Sequence, residues 1–427
     1  MTEAPMTDDR SGISRRSLLG AAGVGALAAG AAGGYAVGSS QPDAVPDQDS
    51  LPVEFAGLHQ AGIVTPAQDR MYFVALDMTS DKRDDLVAML QEWTLAARKL
   101  VRGNDVGKFG AVGGSPFGPP EDTGEALGLP PSRLTLTIGF GPGLFEKDGK
   151  PRFGLAELKP DLLTELPLFS GDRLDPAICG GDIAIQACAN DPQVAVHAVR
   201  NLVRMAFGRA SVRYSQMGFG RTSSTSTAQT TPRNLLGFKD GTANLKAEDK
   251  KEVDKFVWVK LGDGPDWHVD GTYLITRKID MRIETWDRES LEGQEAIIGR
   301  RKGSGGPVSG GDEFDKLDFK AKGEDGEPAI AEKAHVRLAH PDQNDGAMLL
   351  RRGYNFVDGS NGLGQLSAGL FFISYQRNPE QFVKVQRSLA GSQNDVLNEY
   401  IVHVGSALFA CPPGPGAKGF WGEGLFC

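Results

Sequence analysis

Cysteine and histidine are scarce in this 427-residue chain, with four of the first and six of the second. Cys179, Cys188, Cys411 and Cys427 form no Cys-x-x-Cys pair, and no Cys/His spacing suits zinc or an iron–sulfur cluster. Positive charge is also short. Lys and Arg total 46 against 55 Asp and Glu, a net charge of −9. A nucleic-acid partner needs a basic face, so that class is excluded from the expected partners. Glycine, in contrast, is plentiful at 56 residues, which points to many turns and close backbone approaches. Apolar content of 40 % supports a sizeable core, and the length suggests two or three domains.

The N-terminus carries an address. Ser14-Arg15-Arg16-Ser17-Leu18-Leu19 is a twin-arginine motif, followed by an Ala/Gly-rich apolar stretch from Leu18 to Val37. Such signals direct bacterial export of proteins already folded. A membrane anchor is the competing reading, and the modest hydrophobicity of the stretch favours the signal. Export would allow disulfides. Cys411 and Cys427 bracket a Pro/Gly-rich tail and could pair, whereas Cys179 and Cys188 read as plain buried thiols.

Residues 1–45 are thus signal and linker, and the fold begins near residue 50. Met71 to Asp77, Leu134 to Phe140, Gly181 to Cys188 and Val212 to Met217 read as strands. Asp81 to Arg102 and Pro192 to Phe207 have helical periodicity. A Ser/Thr run, Ser223 to Thr231, marks a boundary. Beyond it, Phe256 to Val259, Gly271 to Arg277 and Leu370 to Tyr375 read as strands; Asp280 to Gly293, Pro379 to Leu389 and Val396 to His403 read as helices. Gly303 to Gly326 is an exposed loop. The expected fold class is α+β, with domains at 50–225 and 235–427. The first half has the strand–helix order of a ferredoxin-like unit, and that order recurs in the second.

Leu235-Leu-Gly-Phe-Lys-Asp-Gly-Thr-Ala-Asn244 holds one acid between glycines. Alone, it reads as an Asp-Gly turn. Two further stretches change that reading: Ala334-His335-Val336-Arg337 through Pro341, and Met348-Leu-Leu-Arg351-Arg352-Gly-Tyr354. With Gly237-x-x-Asp240-Gly241 they match, in order and spacing, three motifs of the dye-decolorizing peroxidases, which the chain resembles. His59-Gln-Ala-Gly-Ile-Val-Thr-Pro66 also resembles that family's opening segment. His59 is expected to be structural, and His197 a packing or capping residue.

The resemblance implies two ferredoxin-like halves, each an antiparallel sheet with helices, and haem in the C-terminal half. No Cys-x-x-Cys-His motif is present, so the cofactor would be haem b. His335 would be the proximal iron ligand, with His340 its rival in sequence. Asp395 would hold its other ring nitrogen. Glu399 is an alternative partner, and Asp395 could instead cap a helix. Asp240 would be the distal acid–base group and Arg351 the charge stabiliser, with Arg352 adjacent. Gly241, Thr242, Ala243, His340, Pro341 and Asp342 would line the haem, and Leu370 and Phe372 would pack above the iron. Hydrogen peroxide is the implied oxidant. Dyes, phenolics or similar reductants would react at the surface, through Trp258, Trp286, Tyr354 or Trp421. Iron release from haem, as a deferrochelatase, is the alternative activity; haem carriage without catalysis is a third. A homo-oligomer remains open.

Overall fold

Alternating side chains make the strands and a 3.6-residue stripe makes the helices. The computed structural model describes residues 48–390 and 395–427, so the twin-arginine stretch lies outside the described residues. The first half contains β1 (Arg70–Met78), α1 (Arg83–Leu100), β2 (Thr135–Phe140), a short α2 (Pro142–Phe145) with the small hairpin β3 (Glu146–Lys147) and β4 (Lys150–Pro151), then β5 (Ile183–Ala189), α3 (Pro192–Met205) and β6 (Ala210–Arg221). The second half contains α4 (Lys250–Phe256), β7 (Thr272–Met281), α5 (Ile283–Trp286), α6 (Leu291–Ile298), α7 (His335–Leu338), β8 (Leu350–Arg351), β9 (Tyr354–Ser360), β10 (Leu366–Gln376), α8 (Glu380–Ala390) and β11 (Ile401–Cys411).

The strand orders are β2-β5-β1-β6 and β9-β10-β7-β11. Numbered within its own half, each is second, third, first, fourth, and neighbours are antiparallel. The fold is therefore α+β, with the ferredoxin-like arrangement in both halves. Pairing of β6 with β9 and of β11 with β2 joins the two sheets into a closed ring.

Closure gives each strand an inner and an outer face. Phe73 and Ala75 of β1 share an inner cluster with Phe371, Ile373 and Tyr375 of β10. Val74 and Leu76 belong to the cluster that includes α1 and α3. Asp191 caps α3 by accepting from the Gln193 and Val194 amides, at 2.7 and 3.3 Å, and Pro192 opens the helix. Val194, Ala198, Val199 and Leu202 form its buried stripe. His197 is buried and bonds Asp122 Oδ1 at 2.7 Å through Nε2.

Several expected elements differ. Phe256 ends α4, and Val257, Trp258 and Val259 follow it in no strand; they are apolar because they pack in the core. A short buried run carries no period by which to separate helix end from strand. Residues 280–293 are not one helix: β7 runs to Met281, α5 is a single turn, and Ser290 caps a new helix, α6. Val396–Glu399 is one 3-10 turn before β11, so 396–403 is not a helix. Thr222 to Ser226, at the start of the Ser/Thr run, are buried. All four cysteines are unpaired, with Cys411 in the core and Cys427 exposed.

Two buried histidines make stability depend on pH. Burial holds His268 down at about 4, and burial with the Arg277 charge holds His403 at about 3, against an ordinary 6.5. Between those values the unfolded chain binds protons that the folded chain refuses, so their contribution to stability falls as pH drops from 6.5. His268→Gln is expected to make the pH dependence of unfolding shallower, by up to about 1.4 kcal/mol per pH unit. Urea unfolding between pH 6.5 and 4 checks this. Parallel curves for variant and wild type would show that His268 does not resist protonation.

Candidate active site

A cavity of ≈340 Å³ opens on the outer face of the second-half sheet. One wall comes from strands: Arg351 of β8, Leu370 and Phe372 of β10, Arg277 and Ile279 of β7. The other comes from α7 and α8, with His335, Val336, Phe382 and Leu389. The size is that of a small-molecule or cofactor site, roughly 300–1,000 Å³.

The loop carrying Asp240 is shaped by its glycines. Gly237 and Gly241 have φ of +83° and +85°, a region that favours glycine. A Cβ on Gly241 would also stand 2.9 Å from Ser223 Cα. Leu236 and Phe238 anchor the loop in a cluster with Trp286, whose Nε1 donates to Leu236 O at 3.0 Å. Asp240 N–H donates to Pro232 O at 2.9 Å. So held, Asp240 Oδ1 accepts from Arg351 Nη1 at 2.7 Å, across 111 positions of sequence. Its Oδ2 has a long contact of 3.5 Å from Asn234 Nδ2. Arg352 points elsewhere: it is fully buried and donates to Thr65 O and to Gln68 Oε1.

On the helical wall, His335 Nδ1 meets Asp395 Oδ2 at 2.6 Å. Asp395 Oδ1 accepts from the Leu397 amide at 2.9 Å. The two expected roles, partner and cap, are thus filled by the two oxygens of one buried carboxylate, and Glu399 is not the partner. Burial opposes charge on the His335 ring, but the Asp395 charge and hydrogen bond outweigh it and set its pKa above 6.5. The ring keeps about a third of its surface accessible, at 33 %, and it lines the cavity. The charges of Asp240 and Arg351 act on it as well, in opposite senses.

Gly241, Thr242, Ala243, His340 and Pro341 also line the cavity. Asp342 does not: its side chain is 76 % exposed, because the 3-10 turn at Pro341–Gln343 turns it outward. His340 Nδ1 caps that turn, accepting from the Asp342 amide at 3.2 Å. His59 stacks on Trp258 at 3.7 Å and bonds Asp270 O at 2.8 Å, in keeping with a structural role. None of the four expected electron-relay rings is at the surface: Trp286, Tyr354 and Trp421 are fully buried, and Trp258 lies beneath His59.

Sequence reading missed Arg277, Arg300, His403 and Asn244. The first three line the cavity. Arg277 is buried, ion-paired with Asp172 and bonded to Ser406 Oγ at 3.1 Å. A buried-strand pattern, Tyr273 to Ile275 and Ile279, interrupted by Arg277 and Lys278 was the available signal. Asn244 closes the glycine loop and bonds the main chain of Arg351.

The arrangement places a carboxylate–guanidinium pair and a carboxylate-anchored imidazole around one largely apolar space. A planar cofactor with an iron centre fits it, since Asp395 occupies Nδ1 and leaves Nε2 free to serve as a ligand. Residues 60–220 match the family model for the Dyp-type peroxidase N-terminal domain, and 231–415 that for the C-terminal domain. A dye-decolorizing peroxidase of Thermobifida fusca (strain YX) is 38 % identical, over 96 % of each chain. A deferrochelatase of Escherichia coli (strain K12) is 36 % identical, over 98 % of each. The oxyferrous/water mixed complex of DtpA from Streptomyces lividans superposes with a TM-score of 0.80 at 36 % identity, covering 89 % of this chain and 98 % of that one.

Asp395→Ala strands the His335 ring N–H and the Leu397 amide together. It is expected to cost about 1–3 kcal/mol of stability. Affinity for an iron centre at Nε2 should fall about 10–100-fold. Urea unfolding and cofactor titration check both. Unchanged affinity would show that Asp395 serves the turn alone.

Proposed function

The chain belongs to the Dyp-type peroxidase family and is a haem peroxidase, and from there we propose that it reduces hydrogen peroxide with His335 as iron ligand, Asp240 as acid–base group and Arg351 as charge stabiliser. The observation that carries this reading is the 2.7 Å Asp240–Arg351 pair in the same cavity as the Asp395-anchored His335. Haem b is the proposed form, because the chain has no Cys-x-x-Cys-His attachment motif. Bound there, haem supplies the redox iron that passes electrons from the reductant to peroxide.

The residues divide the remaining work. Asp240 Oδ1 is occupied by Arg351, and the 3.5 Å contact to Oδ2 is long for a hydrogen bond. Oδ2 is therefore the oxygen that takes a proton from one peroxide oxygen and returns it to the other. Arg351 keeps Asp240 oriented and stabilises negative charge on the departing oxygen. Leu370 and Phe372 narrow the space, so dyes and phenolics would deliver electrons from outside it. Residues 50–225 and 235–427 are proposed as two domains, with the haem held by the second.

The relatives named deferrochelatase support a second reading, release of iron from haem. Porphyrin product analysis separates the two: iron-free porphyrin would favour release, dye turnover on intact haem the peroxidase. Export is proposed from the twin-arginine motif. Replacing Arg15 and Arg16 by Lys should retain the protein inside the cell, and undiminished export on fractionation would refute it.

Asp240→Asn is expected to lower kcat/KM for peroxide by about 10²–10⁴-fold and to flatten the acid limb of its pH profile. Arg351→Leu should lower it by about 10²–10³-fold and keep an acid limb. Steady-state peroxide kinetics across pH decide the assignment. A wild-type profile for Asp240→Asn would remove Asp240 from the acid–base role.

A further inference from the structure

Arg351 occupies an unusual place in the sheet. It lies on β8, a strand of two residues at the end of the order, paired with β10 alone. The Arg352 amide points toward β10 and donates to Ile373 O at 2.8 Å. The Arg351 peptide groups point the other way, where no strand follows. Asn244 fills that edge. Its Oδ1 accepts from Arg351 N–H at 2.7 Å, and its Nδ2 donates to Arg351 O at 2.9 Å. One side-chain amide thus supplies the donor and the acceptor that a neighbouring strand would have supplied. The remaining Nδ2 hydrogen goes to Ser224 O at 3.1 Å, and Asn244 is 6 % exposed.

We propose that Asn244 is a positioning residue for the distal arginine: its amide fixes the Arg351 main chain to the loop that carries Asp240, and so sets where guanidinium and carboxylate meet. The inference rests on the peroxidase reading for its kinetic consequence, though not for its geometry. Asn244 stands four positions after Asp240, and its own N–H closes the loop on Gly241 O at 3.0 Å. Ser224 O, which takes the third bond, also accepts from Lys246 Nζ at 2.8 Å. Thr222 N–H ties the same buried segment to Gly353 O at 2.9 Å, just past Arg351. The Ser/Thr run is therefore the backing against which Asn244 holds Arg351. Few other side chains can do this. Alanine offers neither group. Aspartate keeps the acceptor but turns a charged oxygen toward two carbonyls, and glutamine adds a methylene in a buried site.

The test uses the full haem-loaded chain with Asn244→Ala and Asn244→Asp. Single-residue hydrogen exchange is expected to speed up by about tenfold at the Arg351 amide in Asn244→Ala, the factor for one lost hydrogen bond, while the Arg352 amide stays protected. Peroxide kcat/KM should fall by up to about 10²-fold in both variants, the scale of a small misplacement, with KM for the reductant and haem content unchanged. In an Arg351→Leu background, Asn244→Ala should change peroxide kcat/KM no further, since its effect passes through Arg351. Unaltered exchange at Arg351, an additive double variant, or joint loss of fold and haem in both variants would each overturn the proposal. If Arg351→Leu alone left peroxide turnover intact, the active-site reading would fail, and the exchange result would still decide what Asn244 does.

Discussion

The cavity depends on one buried carboxylate. Asp395 is 2 % exposed and would be costly to bury as an unpartnered ion. It has two partners: one oxygen receives the His335 ring N–H, the other the Leu397 amide. The first bond fixes which ring nitrogen faces outward and the plane of the ring. The second starts the turn that leads into β11, which pairs with both β7 and β2 and so helps close the ring of strands. Orientation of the His335 ring and sheet closure thus meet in a single side chain.

The strand wall is arranged differently. Asp240 and Arg351 keep 16 % and 28 % of their side-chain surface accessible, so neither is stripped of solvent as Asp395 is. A pair of this kind contributes little stability on its own. What it has is placement, with each partner delivered by a separate segment: the glycine loop for Asp240, the two-residue strand for Arg351. Buried Ser and Thr residues, Asn244 and Lys246 tie these segments together behind the pair. Asp240 Oδ2, the oxygen proposed to carry the proton, stays lightly held.

Much of this was legible in the chain. Apolar and aromatic runs announced β1 and β10, helical periodicity announced α3, and the glycines around Asp240 announced a backbone that needs positive φ. Less legible were features set by distant partners. Val257 to Val259 are buried without being a strand, and only tertiary packing says so. Asp172 and Arg277 form a buried ion pair 105 positions apart. Asp342 follows His340 and Pro341 closely, yet one 3-10 turn sends its side chain to solvent. The Ser/Thr run read as a boundary by composition, and nothing local reveals that the Ser224 carbonyl accepts from Asn244 and Lys246.

The proposed site rests on His335, held by Asp395, as the iron ligand facing Asp240 and Arg351. The most direct measurement is the absorption and paramagnetic resonance spectrum of haem-loaded His335→Ala beside wild type. Loss of the histidine-ligated signature is expected, with weaker haem retention and an intact fold. Full occupancy with an unchanged axial-ligand spectrum would contradict it and move the ligand elsewhere, with His340 the first residue to examine.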